Sequence, residues 1–234
     1  MGAIFRREIN AFFTSPIAYI FLGVFYVMSG FFFMNSTIYY GVTDMSGVFS
    51  QMFLIIVFLI PIMTMKLFSE ERKQKTEQGL LTAPVSISSI VYGKYFAALV
   101  LYTIGISIFL FYALIIEFLK EAQWATVLSN VVALWLLGAA FIAVTLFVST
   151  FTENQIVSAV LGFLVLLFLY LLDAISYYVK NDVLSDILNG ISFYQKYSEF
   201  VNGLFNLSSV LFYVSVAVLF NFFSVRMFER RRWN

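Results

Sequence analysis

Six charged residues fall within the eight positions from Glu70 to Glu77, the densest charge in the chain. Glu70, Glu71, Arg72, Lys73, Lys75 and Glu77 are followed by Gly79, the apolar pair Leu80-Leu81, and Pro84, which disfavours helix at Ala83 and so marks an end. The chemistry open to this mixture is recognition: charges that set register and encounter, and two leucines that enter a partner's groove. Membrane insertion also selects charge in any inside loop, so the patch alone leaves docking and plain topology both open.

Bond-making chemistry finds little support. The chain has no Cys and no His, which removes disulfides, thiol chemistry, haem ligation, Ser–His catalysis and the H-E-x-x-H zinc motif. Aspartyl catalysis needs two carboxylates sharing a proton, and no Asp or Glu lies deep in an apolar run. A G-x-x-x-x-G-K-[ST] phosphate loop is also missing, so the chain has no P-loop with which to hydrolyse ATP. A proton- or sodium-coupled carrier places ionisable groups near the bilayer midplane, and none is found there. The residues therefore describe a chain that is not itself an enzyme, leaving open only a lipid-modifying site at a membrane face.

The elements that carry the patch are apolar. The composition is 62% hydrophobic and 12% charged, against roughly 25% charged in an ordinary soluble domain. Charge-free cores run over about 17–36, 48–65, 95–116, 125–149, 154–172 and 207–225. Each approaches the ~20 residues that a helix rising ~1.5 Å per residue needs to cross ~30 Å of hydrocarbon. The expected fold is all-α: one polytopic membrane domain over 1–234 with six transmembrane helices. Ahead of them Phe5, Ile9, Phe12 and Phe13 share a helix face that Ser15-Pro16 interrupts, which reads as an N-terminal interfacial helix over 1–15 or as an early start of the first span. Between spans five and six, Val183, Leu184, Ile187, Leu188, Ile191 and Tyr194 alternate with Asp182, Asp186, Asn189 and Lys196, predicting a short outer amphipathic helix.

Six crossings put both termini on one side. Arg6, Arg7, Lys66, Arg72, Lys73, Lys75, Lys94, Arg226, Arg230, Arg231 and Arg232 fall there, eleven of the 14 basic residues, while Lys120, Lys180 and Lys196 lie opposite. The positive-inside rule makes the terminal side cytoplasmic. The Arg230-Arg231-Arg232 tail reads most simply as an anchor attracted to anionic lipid.

Glu70-Glu71-Arg72, Thr76, Leu80-Leu81-Thr82-Ala83-Pro84-Val85-Ser86 and Gly93-Lys94 together resemble the signature of ABC-2 type transporter permeases. Ser15-Pro16-Ile17-Ala18-Tyr19 and the stretch Pro61 to Met65 resemble the branch that includes gliding-motility ABC permeases. The likeness covers the whole chain and implies that 69–84 is a cytoplasmic coupling helix docking on a separate ATP-binding subunit. On this sequence it makes Glu70, Glu71 and Arg72 the contact residues, with Thr76, Leu80 and Leu81 behind them. Many members carry Gly where Lys75 stands, Leu where Glu77 stands, Glu where Gln78 stands and a bulky apolar residue where Gly79 stands.

The resemblance further implies a plasma-membrane exporter built from two permease copies, as a homo- or heterodimer, and two ATP-binding subunits, with room for an accessory membrane subunit. ATP and Mg belong to the partner, so no cofactor is expected on this chain; the other partner is membrane lipid, not nucleic acid. The spans offer mainly Phe, Tyr, Leu, Ile and Val with scattered Asn35, Gln51, Asn130, Gln155 and Asn221, which favours amphipathic or lipid-linked cargo, or aromatic-lined handling of sugars or peptides, over small ions. A membrane anchor that recruits a cytoplasmic partner without transporting is the alternative. Pro61 and glycines 23, 30, 105, 138 and 162 speak against it, because they put kinks or close contacts in spans that a passive anchor does not need.

Overall fold

Ser15 sets the first corner of the molecule. It precedes Pro16, takes an extended backbone (φ −102°, ψ 153°), and ends α1 (Gly2–Thr14) so that α2 (Pro16–Phe33) starts afresh with Pro in its first turn. The structure is a computed structural model that describes residues 1–82, 85–178 and 188–233, with side chains described for 1–79, 85–175 and 188–231. Among these residues six helical segments are long and apolar enough to cross a membrane.

The first span, α2, widens into a π-helical turn at Met34–Ile38. The second is α3 (Ser46–Thr64), continued after Met65 by α4 (Lys66–Lys73), and α5 (Glu77–Thr82) follows a turn. The third consists of α6 (Ile87–Ile106) and α7 (Ile108–Leu119), broken at Ser107. The fourth and fifth are α8 (Trp124–Ser149) and α9 (Gln155–Tyr178). A shorter helix, α10 (Phe193–Val201), precedes the sixth span, α11 (Leu207–Trp233). The helices extend past the charge-free cores at several ends, because a helix can carry polar turns beyond the hydrocarbon while a charge-free run cannot include them.

The helix α8 is the pillar of the bundle. Of its most apolar window 72% is buried inside the protein, against 28% for α2 and 22% for α9. Its small residues permit this: Gly138, Ala139, Ala140 and Ala143 let α6 and α11 approach closely. At Gly138 a Cβ would lie 2.0 Å from the Tyr102 ring, so only glycine fits. Cross-helix hydrogen bonds then come from tyrosines. Tyr102 donates to the Leu134 carbonyl at 2.7 Å, Tyr95 to Ala139 at 3.2 Å, Tyr197 to Phe49 at 2.9 Å and Tyr213 to Phe193 at 2.7 Å.

The expected outer helix is partly visible. Val183, Leu184, Ile187, Asp182 and Asp186 lie outside the described residues, while Leu188, Asn189 and Ile191 belong to a short helical stretch at 188–191. Ser192 then caps α10 by accepting from the Gln195 N–H. Phe193, Tyr197 and Phe200 of α10 are buried against α3, α8 and α9, so this part of the connection is set into the bundle.

Candidate functional site: an interlocked charged face

The face that carries both termini also carries α4, α5 and the α8–α9 turn, and its more buried charges are paired with one another. Glu8 lies on the buried stripe of α1 between Ile4 and Phe12. It meets Lys94, at the foot of α6, with the amine 3.1 Å from its Oε1. The same amine lies 3.0 Å from Oε1 of Glu71 on α4. Arg7 closes the ring at 2.6 Å from Glu8 and 2.5 Å from Glu71. Lys94 is 1% exposed, yet two carboxylates and the Phe68 ring below its ammonium compensate the lost water. Burial alone would raise the Glu8 pKa, but the Lys94 and Arg7 charges overcome it and hold the carboxyl below its ordinary value. Burial likewise opposes the Arg7 cation, and Glu8 and Glu71 more than restore it.

Gly93 explains how α1 comes so near. A Cβ there would sit 3.0 Å from the Ile4 side chain, so a bare backbone lets α1 lie against α6 and bring Glu8 to Lys94. Lys66 adds a second tie to α1: its amine donates to the Ala11 carbonyl at 3.2 Å and to Ser15 Oγ at 2.6 Å, over the Phe12 ring.

On the other flank Arg72 reaches the α8–α9 turn. Its Nε lies 2.9 Å from the Glu153 carboxylate, and its NH1 donates to the Phe151 carbonyl at 3.1 Å. From the end of α11, Arg231 pairs with Glu77 of α5 at 3.1 Å and also donates to the Thr150 carbonyl. Phe68 of α4 packs on Phe228 of α11, ring centroids 4.5 Å apart. The segment between spans two and three is thus fastened to α1, α6, the α8–α9 turn and α11.

What it leaves exposed is the tip, Lys73, Gln74, Lys75 and Thr76, and beyond half-buried Glu77 also Gln78 and Gly79. Lys75 has φ of 57°, a left-handed conformation that closes the turn between α4 and α5 and that glycine adopts without cost. Thr76 folds back on the Glu71 carbonyl through its N–H at 3.0 Å and its hydroxyl at 3.3 Å.

Of the residues singled out from sequence, Glu70 is half-buried and accepts from Gln74 at 3.2 Å. The side chains of Glu71 and Arg72 are only 16% and 32% exposed and turn toward the protein. Thr76 is at the open tip. Leu80 and Leu81 fall within α5, and their side chains lie outside the described residues. Sequence reasoning gave no site role to Arg7, Glu8, Glu153 and Arg231, and took Lys94 only as part of the resembling signature. Two signals were present: Glu8 sits four residues from both Ile4 and Phe12 on an apolar stripe, and Lys94 follows Gly93 at an apolar helix start. Among the described residues no group of three or more Asp or Glu is placed to hold a metal ion.

Six membrane-length helices among the described residues, standing on such a face, define a multi-pass membrane protein. Residues 4–233 match the family described as ABC-2 family transporter protein, and the chain belongs to that family. Its members are transmembrane components that work in general with an ATP-binding subunit. A comparison with curated proteins finds no match.

Proposed function

We propose that this chain is the membrane-spanning subunit of an ATP-driven exporter and that α4, the Lys73–Thr76 tip and α5 form its docking element for a separate cytoplasmic ATP-binding subunit. Two permease copies, identical or related, and two ATP-binding subunits that carry ATP and Mg make the assembly, to which an accessory membrane subunit can be added. The eleven-to-three split of basic residues supports termini and docking element in the cytoplasm, with the chain in the plasma membrane. The Ser15-Pro16-Ile17-Ala18-Tyr19 start and the Pro61 to Met65 stretch support the gliding-motility-type branch.

The observation that carries this reading is the joining of an exposed tip to a segment fastened to α1, α6, the α8–α9 turn and α11. A load applied at Lys73–Thr76 is shared by α1 through Glu71, by the α8–α9 turn through Arg72 and by α11 through Glu77. In this reading Thr76, Glu70 and the α5 residues Leu80 and Leu81 meet the partner. Glu71 and Arg72 pass the motion inward. ATP closing the two partner subunits would draw the docking elements together and switch the permease pair from inward- to outward-facing.

The test is purification of the tagged chain from its native membrane in mild detergent, followed by identification of what comes with it. The expected result is a P-loop ATPase in one-to-one proportion, lost or weakened when Lys73→Glu and Lys75→Glu reverse the tip charge. A partner without ATPase activity would instead favour the recruiting anchor, and an intact chain that repeatedly comes alone would sink the docking assignment.

A further inference from the structure

Between α6, α8 and α11 a groove of about 240 Å3 opens sideways toward the bilayer. Tyr95, Trp135 and Tyr213 line it, Phe96 and Val218 form its exposed lips, and Asn221 is part of its lining. Asn221 is 1% exposed. Its Nδ2 donates to the Ala217 carbonyl at 2.8 Å, but its Oδ1 has no hydrogen-bond partner among the described residues. Three other polar groups of the wall are committed: the Tyr95 and Tyr213 hydroxyls donate to the Ala139 and Phe193 carbonyls, and the Trp135 indole N–H donates to Thr103, while Tyr92, also in the lining, stacks on Phe96.

A buried acceptor without a donor is costly in any protein and more so within hydrocarbon, where no water can reach it. The groove is smaller than the roughly 300 Å3 at which sites for whole drug-sized ligands begin. It suits part of one hydrocarbon chain. Asn221 stands five residues before Arg226, about 7.5 Å along the helix, so its free oxygen lies just inside the leaflet on the side of the termini. That is the depth at which a lipid chain joins its headgroup.

We infer that this groove holds one chain of a lipid bearing a hydroxyl or amide N–H near the head of that chain, with Asn221 Oδ1 accepting its hydrogen bond. Ester-linked diacyl lipids fill the apolar part equally well but offer no donor at that depth. The inference rests on the membrane-spanning fold and needs neither the ATP-binding subunit nor transport.

Trp135 reports on it directly. With Trp124→Phe and Trp233→Phe the full chain keeps Trp135 as its single indole. In nanodiscs of unbrominated phosphatidylcholine, two probes are titrated: a ceramide brominated on its N-acyl chain and a phosphatidylcholine brominated at the same carbons. The expected result is saturable quenching by the ceramide at about fivefold lower mole fraction, as one hydrogen bond provides. Asn221→Leu is expected to abolish that preference and leave quenching by the ester lipid. Val218→Phe, at an exposed lip where folding is not at stake, is expected to weaken both and serves alone if Asn221→Leu does not fold. Equal quenching by the two probes would reduce the groove to ordinary annular lipid, and a preference surviving in Asn221→Leu would remove the acceptor role. Absence of quenching by either would mean that a second copy of the chain covers the groove; each of these overturns the inference.

Discussion

Lys94 brings its ammonium into the packed foot of α6 because two carboxylates from other helices meet it there, and no partner lies on its own helix. Removing one member of such a buried set leaves charge uncompensated, which costs about 3–5 kcal/mol. Lys94→Met is therefore expected to lower the melting temperature of the detergent-solubilised chain sharply. Adding Glu8→Gln to it should return part of the loss, which a double-mutant cycle by thermal melting will read. The same carboxyl gives the pH dependence its sign. Its folded pKa lies below the ordinary value of 4.5, so the stabilisation is full above about pH 4.5 and is lost as pH falls through the depressed folded value. The melting temperature should decline in acid, and Glu8→Gln should remove that component while lowering stability at neutral pH. At the tip Lys75 holds a left-handed backbone that costs a side-chain-bearing residue about 1 kcal/mol. Lys75→Gly is expected to keep the fold and relieve that strain, at the cost of greater freedom in the unfolded chain, so its melting temperature should match or slightly exceed that of the parent.

Among the elements, α8 shows how position in the bundle is written in small residues. Gly138→Ala would press a methyl group onto the Tyr102 ring at 2.0 Å, and the ring is itself held by its hydroxyl on Leu134. The expected cost is about 1–3 kcal/mol or more, seen as a lower melting temperature, and Tyr102→Leu in the same chain should recover part of it. The spans were legible because hydrocarbon imposes a length and forbids charge, and each condition can be counted along a single sequence. The break at Ser15-Pro16 was legible because proline constrains its predecessor. The inward turn of Glu71 and Arg72 was not. Both lie in a polar run that reads as exposed, and their partners Lys94 and Glu153 come from α6 and from the α8–α9 turn, more than twenty residues and about eighty residues away in the chain. For the same reason Arg231 read as a lipid anchor. Its actual partner, Glu77, is 154 positions earlier. Charge density could be counted from sequence; which charges face one another depends on helix packing.

For the molecule as a whole, the distribution of burial separates a firm interior from a surface that needs company. The helix α8 is enclosed, whereas α2, α9 and α11 turn Phe31, Phe168, Phe222 and other large apolar residues outward, into lipid or onto a second copy. If docking at the tip is to move such helices, the load must cross the pairs beneath it, and Arg72–Glu153 is the one that reaches the turn joining α8 to α9. The pair is partly exposed, so it contributes at most about 1 kcal/mol to stability, and breaking it tests transmission with little damage to the fold. Arg72→Glu alone places two carboxylates together and is expected to reduce permease-dependent ATP hydrolysis by the copurified partner several-fold, with the melting temperature nearly unchanged. Glu153→Arg alone should do the same. The exchange Arg72→Glu with Glu153→Arg restores attraction but not the bond from Arg72 to the Phe151 carbonyl, so recovery should be partial. If the single reversals abolish copurification and the exchange does not restore it, Arg72 meets the ATP-binding subunit directly. If all three retain full coupled hydrolysis, the load runs through Glu71 to α1 or through Glu77 to α11 instead, and the α8–α9 turn moves only as a consequence.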